Sequence, residues 1–130
     1  MLTGLDDALV DAFVEAAFAA RPMISEIRHA GGALARPVAG SGAVDALEGD
    51  YLLSTVTIAP VPEAVPAGIA ATSAVVEALR AGHGPGLALT FVDVPGRDLT
   101  PGFGQSAARL SELRRRYDPA GMFVAARPVG

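Results

Sequence analysis

Proline and glycine divide this chain into short segments, and this division limits the lengths of its helices and strands. The 130 residues include 15 glycines and 10 prolines. Arg21-Pro22 ends the first segment, because the residue before a proline is disfavoured in helical geometry. Gly31-Gly32 ends the second segment, and His83-Gly84-Pro85-Gly86 forms a later turn. The segment lengths are typical of single helices and strands, and the total length predicts one domain over residues 1–130.

Residues 6–20 have the pattern of an amphipathic helix with an unusually wide apolar face. Asp7, Asp11 and Glu15 recur every four residues and therefore form one line on the helix surface. The opposite face carries six apolar residues: Leu9, Val10, Phe13, Val14, Ala17 and Phe18. A face of this width predicts burial against a sheet rather than against one partner helix.

Two further helices are predicted later in the chain. One begins near Pro66, which suits the first helical position, and ends at Ala81-Gly82. The other covers residues 106–117, stops before Pro119 and is followed by an extended tail over residues 122–129. The last helix is expected to bury three residues on its inner face: Leu110, Leu113 and Tyr117.

Extended segments are predicted at residues 23–29, 51–59 and 87–94, with a short strand at 34–38 inside the otherwise irregular stretch 33–50. In the first strand, Met23, Ser25, Ile27 and His29 share one side, and Ile24, Glu26 and Arg28 share the other. Together with the helices, these strands predict an α+β fold in which an antiparallel sheet has helices packed on one face.

Composition excludes several classes of function. The chain has no cysteine, so disulfides and thiolate metal sites are excluded, and His29 and His83 do not have metal-ligand spacing. The net charge is −4 and aromatic residues make up 5%, which does not favour nucleic-acid binding. No apolar run approaches the roughly 20 residues that span a bilayer, and Asp6 and Asp7 do not suit a signal peptide. We therefore expect a cytoplasmic protein.

Four segments together resemble the substrate domain of berberine-bridge-type, FAD-linked oxidases of the vanillyl-alcohol-oxidase superfamily. Residues 25–36 (Ser-Glu-Ile-Arg-His-Ala-Gly-Gly-Ala-Leu-Ala-Arg) resemble a strand and Gly-Gly segment of that domain. Residues 88–91 (Ala-Leu-Thr-Phe) stand where the family often has Tyr-Leu-Asn-Phe. Residues 102–119, which include Arg-Arg-Arg-Tyr-Asp-Pro, resemble its closing helix, and residues 121–129 resemble its terminal tail. The resemblance covers nearly the whole chain.

The resemblance implies one part of a two-domain enzyme. In the family, an N-terminal domain binds FAD, and a C-terminal α+β domain covers the isoalloxazine ring and shapes the substrate pocket. This chain resembles only the second domain, so FAD would be held mainly by a separate FAD-binding domain or subunit. By resemblance, Thr90 and Arg127 would contact the cofactor, and His29, Gly31 and Gly32 would line the substrate pocket.

The chain departs from the family at three polar positions. Ala88 replaces a Tyr that is a candidate proton acceptor, Thr90 replaces an Asn, and Ala126 replaces an Asn that approaches the flavin. These replacements leave the catalytic residue unknown and make activity of this chain alone unexpected. The alternative is a non-catalytic binding or assembly module that forms a homodimer through an exposed sheet.

The same residues also allow purely structural interpretations. His29 is interpretable as a strand-end residue bonded to backbone, and Gly31-Gly32 as a turn that needs a positive φ. In Tyr117-Asp118-Pro119, Tyr packs, Asp caps a chain reversal and Pro ends the helix. Residues 114–116 and Arg127 are interpretable as a solvated surface, and His83 as exposed.

Overall fold

The computed structural model describes residues 1–93 and 96–129, and within them it has an α+β architecture, as predicted. Its five main elements are α1 (Asp7–Ala20), β1 (Ile24–His29), β2 (Tyr51–Val56), α2 (Val65–Ala78) and α3 (Ala107–Tyr117). Short 3-10 turns connect the later elements. No helix in the described part of the chain is long and apolar enough to cross a membrane.

The two strands form an antiparallel pair whose register confirms the predicted sides of β1. Ile27 lies opposite Leu53, and His29 lies opposite Tyr51. The Ser25 and Thr55 hydroxyls are 3.1 Å apart and share a hydrogen bond on this same face. Leu2 joins the outer edge of β2, where its amide donates to the Tyr51 carbonyl at 2.8 Å. β2 ends at Val56, three residues before the predicted end.

Helix α1 begins and ends where the sequence predicts. The Asp6 carboxylate accepts a hydrogen bond from the Leu9 amide at 2.9 Å, which satisfies one of the free amides of the first turn. At the other end Arg21 adopts a left-handed conformation, with φ of 49°, and Pro22 follows. The cap and the proline together fix the length of this helix.

The hydrophobic core lies between the two long helices and one face of the sheet. Leu2, Val75 and Leu79 are fully buried, and Ile27 and Leu53 pack against them from the sheet. The remaining contributors are partly buried: Leu5, Leu9, Phe13, Ala16, Ala20 and Tyr51. Helix α2 therefore lies against one face of the sheet, and α1 packs mainly against α2.

The prediction that α1 buries its whole wide apolar face against the sheet is wrong. Leu9 and Phe13 reach the core, whereas Val10 and Val14 are exposed and Phe18 is 77% exposed. The reason is that α1 packs mainly against α2, and a single partner helix covers only a narrow stripe.

Two predicted strands are absent from the described residues. Residues 34–38 form turns within the irregular stretch 33–50, and Leu89–Phe91 is a 3-10 turn rather than part of a strand at 87–94. Residues 87–93 include the strand-forming residues Thr90, Phe91 and Val92, but within the described part of the chain no strand lies beside them to form a hydrogen-bonded ladder. Position 94, where that predicted strand ends, and position 95 lie outside the described residues, as does position 130.

Helix α3 matches its predicted span, but Tyr117 does not pack inward as expected. Leu110 and Leu113 are half-buried, whereas Tyr117 is 70% exposed and the Arg116 guanidinium carbon lies 5.3 Å from the centre of its ring. Helix α3 packs mainly against the turn that precedes it, so little structure covers its last turn. Asp118 has its predicted role, because its carboxylate accepts hydrogen bonds from the Met122 and Phe123 amides at 2.7 and 3.1 Å.

Candidate functional site

The two predicted cofactor residues, Thr90 and Arg127, lie at the same turn, because Arg127 bonds to the backbone carbonyl of Leu89, the residue before Thr90. Arg127 Nε donates to the Leu89 carbonyl at 2.9 Å, and Arg127 Nη1 donates to the Ala126 carbonyl at 3.2 Å. Thr90 follows Leu89 in the 3-10 turn and is exposed. A hydroxyl and a guanidinium, groups that suit a phosphate or carbonyl oxygen, therefore lie at the same surface turn.

The predicted substrate residues His29 and Gly31 contact each other at the end of β1. A Cβ atom at Gly31 would lie 2.6 Å from His29 Cε1, so the imidazole covers the bare Cα of this glycine. The His29 ring also lies beside Tyr51, with ring centroids 5.5 Å apart and planes inclined by 59°. Gly32 has a φ of 67°, as the turn interpretation requires. These contacts pack His29 against its own strand end.

The two pairs of predicted residues do not share one pocket. His29 lies on the sheet face that carries Ile27 and Tyr51, whereas its neighbour Arg28 lies on the other face. Arg28 connects β1 with the turn at Leu89–Phe91, because its guanidinium carbon is 5.4 Å from the centre of the Phe91 ring. Glu26 holds Arg28 in place through an ion pair of 2.7 Å.

We call the face opposite the helices the open sheet face; it comprises Ile24, Glu26, Arg28, Leu52, Ser54 and Val56. One end of this face is covered, since Leu52 is buried and lines a small cavity of about 130 Å³ together with Ala88 and Phe91. The other end is bare: Ile24 is 47% exposed and Val56 is 40% exposed. The open sheet face therefore has exposed apolar residues at one end and a cation over an aromatic ring at the other.

Sequence reasoning missed both the contact between Arg28 and Phe91 and a larger cavity of about 510 Å³. That cavity lies between the 33–50 connection and residues 101–106, and Asp45, Glu48 and Gln105 supply polar groups to it. Gly86 also lines this cavity, and a Cβ atom there would lie 1.9 Å from the Glu48 carbonyl oxygen. Among the described residues, no three acidic or histidine side chains converge as a metal ion would need.

Positive charge collects beside the small cavity. The Met1 amino group donates to the Gly86 carbonyl at 3.2 Å, and burial together with the Arg97 charge lowers the pKa of this amine. The pKa of His83 is lowered mainly by loss of hydration and, to a smaller extent, by the positive Met1 amine. The side chain of His83 is exposed, as predicted. Ala88 also lines this cavity, where it is buried and offers only a methyl group.

Comparison with known proteins gave no matching family model, no matching curated protein and no matching solved structure.

Proposed function

We propose that this chain is the substrate-side domain of an FAD-dependent oxidoreductase whose flavin is held by a separate FAD-binding domain or subunit. The observation that carries the proposal is the open sheet face, which has exposed apolar residues at its Ile24 and Val56 end. A face of this kind suits the broad side of a planar ring system, and Arg28 over Phe91 adds a cation at its edge.

The residues at the nearby turn fit a flavin nucleotide. Thr90 offers an exposed hydroxyl, and Arg127 offers a guanidinium that two carbonyls already orient. The cofactor would supply the redox chemistry, while this chain would cover the ring, exclude water and orient a small organic substrate. Because Ala88 and Ala126 carry no ionisable group, we expect no turnover by this chain alone.

A titration of the isotopically labelled chain with FAD tests this function. We expect amide shifts at Arg28, Leu52, Thr90 and Arg127 in the two-dimensional NMR spectrum. The variant Ser54→Glu places a longer, negatively charged side chain on the open sheet face and should weaken binding of the anionic cofactor, whereas Ser73→Glu on the exposed side of α2 should not. The proposal fails if FAD at about 1 mM, the concentration for a very weak complex, shifts none of these amides.

A second candidate function is non-catalytic assembly, in which the chain self-associates through the exposed sheet. The exposed Ile24 and Val56 favour it, because burial of apolar area stabilises association. Sedimentation velocity without FAD tests this candidate directly: a dimer supports it, and a monomer at every accessible concentration excludes it.

A further inference from the structure

The outer edge of β1 has hydrogen-bonding groups for a further strand. In the described structure β1 pairs only with β2, whose other edge is partly covered by Leu2. The Ala30 amide donates to the Asp50 carbonyl at 2.8 Å, and Tyr51 directs its amide and carbonyl away from β1 towards Leu2. Because antiparallel pairs alternate between bonded and non-bonded positions, the backbone groups of Ser25, Ile27 and His29 point outward from β1.

We propose that β1 pairs in antiparallel orientation with β1 of a second copy of this chain, about a two-fold axis at Ile27. The result is a continuous four-stranded sheet in the order β2, β1, β1 of the partner, β2 of the partner. The proposal rests on the assembly function described above and specifies its surface, namely the edge of the sheet. The open sheet face stays accessible to a flavin.

The charges of Glu26 and Arg28 favour this register over the registers with the axis at an adjacent residue. With the axis at Ile27, Glu26 of each copy lies directly opposite Arg28 of the other, and the existing ion pair within each strand is extended to four alternating charges. An axis at Glu26 would set two carboxylates opposite each other, and an axis at Arg28 would set two guanidinium groups opposite each other. Like charges at directly opposed positions destabilise strand pairing.

The geometry brings these charges close. Glu26 and Arg28 direct their own backbone groups towards β2, so in the new pair they occupy the non-bonded positions, where side chains approach most closely. A shift by a single residue would place Ile27 on the wrong face, because side chains alternate along a strand. The two-fold axis makes the same contacts twice, as a closed dimer requires.

Within the described structure, β1 is the more exposed of the two strands. The main contact of the helices with the sheet is that of α2 with β2, so β1 is the less covered strand. Arg28 and His29 are exposed, and Ser25 and Glu26 are half-buried. Charged residues on an edge strand discourage indiscriminate pairing, and here the alternating signs leave one favourable register.

Substitutions at Ser25 test the backbone pairing. Ser25→Pro removes an outward amide without removing a bond to β2, and we expect it to convert a dimer to a monomer in sedimentation velocity. Ser25→Ala is the matched control, because both variants lose the hydrogen bond to Thr55 while only the alanine keeps the amide. Circular dichroism should show the same fold in both variants.

Charge reversal tests the register. Glu26→Arg alone and Arg28→Glu alone should each weaken self-association about tenfold or more, since each replaces two attractive pairs by two repulsive ones. When the two variants are mixed, the opposed charges are attractive again, and we expect a heterodimer. Ion pairing within one strand does not produce this recovery.

Hydrogen exchange at the backbone amides of β1 is a third measurement of the pairing. In the dimer, the amides of Ser25, Ile27 and His29 should gain protection as protein concentration rises, while those of Glu26 and Arg28 are protected throughout. A wild-type chain that stays monomeric at about 1 mM overturns both the assembly function and the β1 pairing. A dimer that tolerates Ser25→Pro, or variants that do not recover on mixing, overturns the β1 pairing alone.

Discussion

The imidazole of His29 lies so close to Gly31 that a Cβ atom at position 31 would come within 2.6 Å of the ring. The absence of a side chain at Gly31 therefore sets the orientation of His29, which in turn packs beside Tyr51. This contact links the strand end to the turn that follows it.

Gly31→Ala should push the His29 ring aside and destabilise the chain by about 1 kcal/mol or less, because the clashing atoms are the far end of an exposed side chain. In a His29→Ala background the same substitution should cost much less, because the clashing atoms are gone. Denaturant unfolding of the four variants of this cycle provides the measurement. Equal costs in both backgrounds would contradict the contact. Gly32→Ala is the comparison for backbone strain alone, since Gly32 has a positive φ and a Cβ atom there would meet no other atom within 4 Å.

Gly86→Ala should destabilise the chain by about 3 kcal/mol, towards the upper end for overpacking. The reason is that the new Cβ atom would meet the Glu48 carbonyl oxygen at 1.9 Å, and a backbone atom cannot swing aside. Gly4→Ala is the matched control, because no atom lies within 4 Å of a Cβ atom at that position. Thermal unfolding of both variants is the measurement, and a similar loss in the two would argue against the close approach of residues 48 and 86.

Asp118→Ala should release the C-terminal tail without unfolding the core. The carboxylate accepts the Met122 and Phe123 amides, and neither residue belongs to the core cluster. We expect faster hydrogen exchange at these two amides and a loss in global stability of about 1 kcal/mol or less. Asp11→Ala, on the exposed side of α1, should leave exchange in the tail unchanged. Unaltered exchange in Asp118→Ala would show that other contacts hold the tail.

Stability should fall on acidification through the range in which His83 titrates. Loss of hydration and the positive Met1 amine lower the pKa of His83 in the folded chain, so the unfolded chain binds more protons in that range. The contribution is fully present above the unfolded pKa of about 6.5, and it is lost as pH falls below that value. His83→Gln should remove this part of the pH dependence. Urea unfolding of both proteins between about pH 5 and pH 7.5 is the measurement, and parallel curves would contradict the assignment.

Local signals in the sequence were sufficient for the limits of α1 and for the two sides of β1. Asp6 and Pro22 mark the limits of α1, and the alternation in residues 24–29 places Ile27 and Arg28 on opposite faces of the sheet. These features depend on hydrogen bonds and side-chain directions within a few residues. They need no knowledge of the rest of the chain.

Features that depend on distant partners were not predictable in the same way. Residues 87–93 have the composition of a strand, but the described structure offers them no strand to pair with. Tyr117 has the spacing of a buried residue, but little packs against the last turn of α3. At the candidate site, Thr90 and Arg127 meet because Arg127 bonds to Leu89, 38 residues earlier, and no spacing rule indicates this contact.

Leu2 is fully buried and bridges Tyr51 and His83, and this position has a consequence for how the chain folds. The core cannot be completed by neighbouring residues alone, because its centre joins segments near residues 2, 51 and 79. Closing such long loops costs entropy before the contacts repay it, which slows folding. During synthesis, Leu2 would therefore reach its native contacts only after α2 and the turn at His83 have left the ribosome.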